Sequence, residues 1–249
     1  MTTLTLTADT TLAAVTIAIT GAPTGDVTVS RADGNGIGTP RRLSGQVPIS
    51  GSMTLFDYEA ALTGDITYTV TDSAAATVQA TTSLGVAFPA LHVAQQPSTL
   101  QFLNALTEFD ESRENAATVH RIIGRADPVV VTTVTRTREG RMVIWTGSYT
   151  DARAVIDVAA AGEVLILRQP TFDRMDMYFV ALRTSNQPRQ EDTSPRRWSV
   201  EVQYVEVFSP AGVLLDSAGW GYDDVLAGFA SYNDVAAAFA DYNALVVGP

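Results

Sequence analysis

The chain has 249 residues, 46% of them hydrophobic, and a formal net charge of −11 from 27 acids against 16 bases. That composition over that length makes folded cores in one large or two ordinary domains and excludes a disordered chain. Every base is an arginine and no cysteine occurs, so the acidic balance argues against nucleic acid as a partner, and disulfides, thiolate zinc sites and cysteine nucleophiles are excluded.

The start, Met1-Thr-Thr-Leu-Thr-Leu-Thr-Ala-Asp9, places no basic region before an apolar one, so it is not expected to be a signal peptide. No stretch reaches the roughly 20 apolar residues that span a membrane. The expected product is made in a bacterial cytoplasm and stays soluble until it assembles, with no membrane insertion.

Residues 1–86 read as short strands. Leu4–Leu6, Ala14–Ile19, Val27–Val29, Met53–Tyr58 and Ile66–Val70 are β-branched or alternating, and Gly21–Gly25 and Ala32–Gly38 supply turns between them. Strands of this length and spacing predict a β-sandwich module of fibronectin or immunoglobulin type. Residues 87–123 are expected to be a linker or extended arm. Ser98 could instead cap a helix bearing Phe102, Leu103, Leu106 and Phe109. The β context favours the extended form.

From residue 124 to about 215 the strands return and predict a β-barrel domain. Val129–Arg138 reads as one strand, Glu139-Gly140 as a turn and Arg141–Trp145 as the next strand. Thr150–Asp157 has helical spacing and predicts a short helix across a barrel mouth, while Val164–Leu167 and Met177–Leu182 read as buried strands. Arg183–Pro195 is polar and reads as a long hairpin loop. Trp198–Val207 alternates, with Trp198, Val200, Val202 and Tyr204 on one face and Ser199, Glu201 and Gln203 on the other.

Residues 216–249 carry a ten-residue repeat: Tyr222-Asp-Asp-Val225 to Phe229, Tyr232-Asn-Asp-Val235 to Phe239, then Tyr242-Asn-Ala-Leu245. Ser231 with Asp234 fits a capping box, which makes a short helical extension the expectation. Units this small hold no core of their own, so their aromatic faces need a partner surface. The overall expectation is an all-β chain of sandwich, barrel and short helical extension.

Nothing in the chain assembles into a catalytic set. His92 and His120 lie 28 residues apart, without the further ligands zinc needs. Gly34-Asn-Gly36-Ile-Gly38 is not followed by a helix, as a phosphate cradle would be, and lacks the oxygen ligands of a calcium loop. Asp57 with Glu59, and Asp173 with Asp176, could form a glycosidase pair, but solvated turn acids are the simpler reading. Trp145, Trp198 and Trp220 could line a sugar site, although the first two fit core packing better and Trp220 fits an interface anchor. No enzyme, cofactor or metal is expected.

His120-Arg-Ile-Ile-Gly124-Arg125-Ala-Asp127-Pro128-Val-Val-Val131, Thr137–Gly140, Gly162–Pro170, Asp176–Val180, Arg196-Arg-Trp198 and the terminal repeat together resemble minor tail proteins of actinobacterial siphophages, relatives of distal tail proteins. The resemblance covers about half the chain. It implies a structural virion protein at the tail tip or baseplate, with a β-barrel domain that forms a ring, commonly of six subunits. Such a ring joins the tail tube protein to the tail hub, and the tape-measure protein is a further implied partner. In these relatives the barrel comes first, whereas here a sandwich precedes it. Rings need heterologous contacts, and the residues assigned to them are Arg136, Arg138, Arg196, Arg197, Glu201, Trp220, Tyr222, Phe229, Tyr232, Phe239 and Tyr242. The alternatives are a carbohydrate-binding or adhesin module that touches the host surface and, less well supported, a glycan hydrolase.

Overall fold

A computed structural model describes residues 1–43, 51–115, 117–132, 134–172, 175–188, 197–215, 229 and 231–238. The first module contains β1 (Thr3–Asp9), β2 (Ala14–Ala22), β3 (Thr28–Asp33), β4 (Gly36–Gly38), β5 (Gly51–Asp57), β6 (Ile66–Thr71) and β7 (Thr77–Thr82). They form two antiparallel sheets, ordered β1-β2-β5 and β4-β3-β6-β7. Alternation explains the pairing. Val15, Ile17 and Ile19 of β2 turn inward with Met53 and Leu55, and meet Val29, Ile66, Tyr68 and Val70 from the other sheet. The chain therefore opens with the sandwich its pattern predicts.

The second module contains β8 (Ala90–Val93), β9 (Gln96–Phe102), β10 (Ala105–Ser112), β11 (Thr118–His120), β12 (Val129–Val131), β13 (Glu139–Thr146), helix α1 (Tyr149–Ala159), β14 (Leu165–Arg168), β15 (Met177–Pro188) and β16 (Trp198–Val207). Seven of these strands make one antiparallel sheet ordered β10-β13-β16-β15-β14-β8-β9. Ser148 caps α1, its Oγ accepting from the Asp151 amide at 3.1 Å. The buried face of α1 (Ala152, Val155, Val158, Ala159) packs into a core with Met142, Ile144, Leu165, Leu167, Phe179, Val200, Val202 and Tyr204. Because α1 touches β13, β15 and β16 as well as β8 and β9, the sheet curls around it as a barrel wall does. Among the described residues no ladder joins edge strands β9 and β10, which leaves a seam.

Three expectations need correction. Residues 90–112, expected to be a linker, extended arm or edge strand, supply three strands of the large sheet, and no helix starts at Ser98. Two of the three, β9 and β10, are its edges as the extended reading allowed, so what is corrected is the linker. Leu91, Val93 and Leu103 explain this, because they belong to the second core. The strand expected over Val129–Arg138 is three residues long, and Glu139-Gly140 opens β13 rather than turning the chain. Residues 183–188 are not loop but the second half of β15, paired from Arg183↔Gln203 to Pro188↔Trp198; the remainder of that expected loop, 189–195, lies outside the described residues.

The chain returns to the first module after β16. Leu214 bridges Leu43, and both pack with Ala14 and Tyr58. A second helix, α2 (Tyr232–Ala238), begins at Ser231, whose hydroxyl donates to Asp234 Oδ2 at 2.8 Å.

Candidate assembly surfaces and the buried joint between modules

The connection between β10 and β13 projects as an arm. β11 and β12 pair over three rungs, Thr118↔Val131, Val119↔Val130 and His120↔Val129, and form a two-stranded sheet of their own. Every residue of both strands is exposed. Val119, Ile122, Ile123, Val129, Val130, Val131 and Val134 are all exposed and none belongs to a core cluster. β-Branched apolar residues pair well as strands, but an isolated two-stranded ribbon is marginal in water. A contiguous apolar arm of this kind marks an interaction surface.

The arm is held at its root. Arg138 Nη2 meets Glu206 Oε1 at 2.7 Å, the Arg138 amide donates to Glu206 Oε2 at 3.0 Å, and the Glu206 amide donates back to the Arg138 carbonyl at 2.7 Å. The hydrogen bond and charge of Arg138 hold the Glu206 carboxyl below its usual range. Arg138, expected at a subunit contact, is 7% exposed, and its guanidinium is engaged by Glu206 within the chain. Arg136 pairs with Glu114 at 2.9 Å in the open, where such a pair contributes little.

Two grooves flank β10. One, of about 320 Å³, lies beside the seam and is lined by Pro89, Leu106, Glu108, Phe109, Pro170, Phe172 and Met175 among others. Phe172 is 63% exposed at its edge. Here β10 bulges, with Glu108 at φ 51° and the register shifting between Thr107 and Asp110. The other groove, of about 610 Å³, is lined by Asn104, Thr107, Trp145, Thr146 and Arg197. The Trp145 indole N–H donates to Thr107 Oγ1 at 2.7 Å.

Where the first module meets the second, it carries a buried charge network of its own. Asp57 accepts from Arg31 Nη1 at 2.9 Å and from the Tyr68 hydroxyl at 2.9 Å, and Arg31 Nε also meets Asp33 at 2.9 Å. Burial pushes the Tyr68 hydroxyl well above its usual range, with the Asp57 charge adding to it. Arg31 crosses over Gly38, where a Cβ would stand 2.6 Å from its Nη2. Arg41 pairs with Glu59 at 2.7 Å and lies over the Tyr178 ring, which belongs to β15. Asn35, in the β3–β4 turn, donates to Asp176 at 2.6 Å.

Arg168, at the end of β14, is fully buried and reaches into the sandwich. Its Nη1 donates to the Ala13 carbonyl at 2.8 Å and the Ala60 carbonyl at 3.1 Å. Burial lowers it to about 10. Its Nε and Nη2 have no hydrogen-bond partner among the described residues. His92 is also buried, its ring nitrogens 2.9 Å from the Val93 carbonyl and 3.3 Å from the Tyr58 carbonyl. Burial, with Arg168 nearby, holds it down to about 3 and keeps it neutral.

Asp57 and Glu59 are structural ion-pair partners, and burial raises both Glu59 and Asp176. His92 serves the joint, while His120 sits on the arm. Among the described residues no three His, Asp or Glu side chains group to hold a metal. Trp198 faces the Tyr149 ring at 4.9 Å. Of the residues expected at subunit contacts, Glu201 lies 3.6 Å from Arg141 within the sheet, Arg197 lines the larger groove, and Phe229 is half-buried. Arg196, Trp220, Tyr222, Phe239, Tyr242 and Asp173 lie outside the described residues, as does the side chain of Tyr232. The arm's exposed valines and isoleucines and the joint's Arg168 were not singled out from sequence. A run such as Val129-Val130-Val131 reads equally well as a buried strand. No family model matches the chain, and no curated protein matches it.

Proposed function

We propose that this chain is a structural subunit of a phage tail tip, self-assembling into a ring that joins the tail tube to the hub and host-recognition parts. The observation that carries the reading is the arm. The string His120–Val131, which resembles minor tail proteins, is the segment whose Val and Ile side chains stand outside every core of the chain. A surface of that kind is stable in water only when a partner covers it. The buried joint at Arg168 fits the same role, since a connector must transmit position between its modules.

Light scattering on the full chain, with negative-stain images of the same fractions, tests this. A ring gives one particle whose mass is a fixed multiple of 26.5 kDa. A species that stays at one chain's mass at all concentrations overturns it. The carbohydrate-binding reading has one observation in its favour, the Trp145 groove with its amide, hydroxyl and guanidinium lining. A glycan array that binds wild type but not Trp145→Ala would favour it.

A further inference from the structure

We infer that the arm of one copy seats in the groove beside β10 of the next copy, so that the self-contact is head to tail; this rests on the ring reading. Three observations carry it. The chain has two unlike surfaces, one projecting and apolar (Val119, Ile122, Val129–Val131) and one concave and mixed, where Leu106, Pro170, Phe172 and Met175 stand beside Glu108 and Gln169. Unlike surfaces on one chain make a heterologous contact, whereas a self-complementary one makes a two-fold dimer.

Charge selects between those outcomes. Residues 118–136 hold Arg121, Arg125 and Arg136 against Asp127, a net +2, so the rest of the chain carries −13 of the total −11. Two arms repel each other, whereas an arm and an acidic body attract. Glu108 stands at the groove, exposed on the bulge of β10. The third observation is geometric. The groove lies along residues 104–109 at one end of β10 and the arm leaves from Ser112 at the other, with its three valines exposed at 39%, 49% and 54%. The arm thus leaves its own groove open for another copy.

The absence of cysteine makes the test clean. Val130 and Phe172 are exposed, so Val130→Cys and Phe172→Cys leave both cores intact. The two single variants and the double variant of the full chain are oxidised under assembly conditions and run on non-reducing gels. The expected result is a ladder of multimers from the double variant and no more than traces of dimer from either single. Val130→Asp should reduce the assembled fraction at least tenfold with an unchanged circular dichroism spectrum. Efficient dimers from Val130→Cys alone mean arm meets arm and overturn the inference. So does an intramolecular disulfide in the double variant. A full-mass ring with no cross-link overturns the head-to-tail seat but leaves the ring reading standing, whereas a wild type that remains a single chain overturns both.

Discussion

Arg168 and His92 show how single residues hold the modules together. Arg168 is a guanidinium out of water whose Nη1 satisfies two carbonyls of the sandwich. Removing it leaves two buried carbonyls without their donor and a void where the side chain packed, so Arg168→Ala should destabilise the protein by roughly 2–4 kcal/mol, read from thermal or denaturant unfolding. His92 gives a pH signature. Its folded pKa of about 3 lies below the unfolded value of 6.5, so the unfolded chain binds the extra proton between those values. Its stabilising contribution is therefore full above pH 6.5 and lost as pH falls toward 3. Between pH 7 and pH 5 the loss should be about 2 kcal/mol. His92→Gln should flatten that limb of the stability profile. Glu59 and Asp176 work in the opposite direction, because burial raises them and protonation relieves its cost. A wild-type melting temperature that rises on acidification from pH 7 to 5 would show that those carboxyls outweigh the histidine.

The elements carry their own requirements, most sharply at β10 and β13. A Cβ on Gly140 would stand 1.9 Å from the Asp110 carbonyl oxygen. This close approach goes with the bulge at Glu108 and lets the arm leave the sheet between Ser112 and Glu139. Gly140→Ala should cost on the order of 2 kcal/mol or more through backbone displacement, visible in the melting temperature. At the arm's root, Glu206→Gln should cost about 1–2 kcal/mol by weakening a charge-assisted contact to the mostly buried Arg138. Limited proteolysis within residues 113–138 should quicken in that variant. An unchanged cleavage pattern would mean that Glu206 does not hold the arm.

At the scale of the molecule, the two main cores are separate clusters linked by a polar joint and by the small apolar cluster of Ala14, Leu43, Tyr58 and Leu214. Separating the modules would strip buried Arg168 of the Ala13 and Ala60 carbonyls and His92 of the Tyr58 carbonyl, leaving polar groups without their partners. Unfolding should therefore be one cooperative event in the wild type. Tryptophan fluorescence reports only on residues past 144, while far-UV circular dichroism reports on both modules. The two curves should coincide in the wild type and separate in Arg168→Ala. Curves that are already separate in the wild type would mean that the joint does not couple the modules.

Much of this was legible in the residues. Alternation in Ala14–Ile19, Ile66–Val70 and Trp198–Val207 gives strand, face and approximate ends, because a side-chain period of two has one reading when one face is buried. The helical spacing of Thr150–Asp157 gives α1. Length, absence of cysteine, acidic charge and the all-β class also belong to the sequence alone, since each follows from composition or from contacts a few residues apart. The tertiary structure decided what depends on distant contacts. Gln96–Phe102 became sheet through its neighbours in β8, Arg183–Pro188 became strand through β16, and Asp57 became a partner of Arg31 in place of an open acid. It also decided that Val129-Val130-Val131 lies outside the cores. Apolar character records that a residue gains by leaving water, but whether its own chain or another covers it is set only by where the folded backbone carries it.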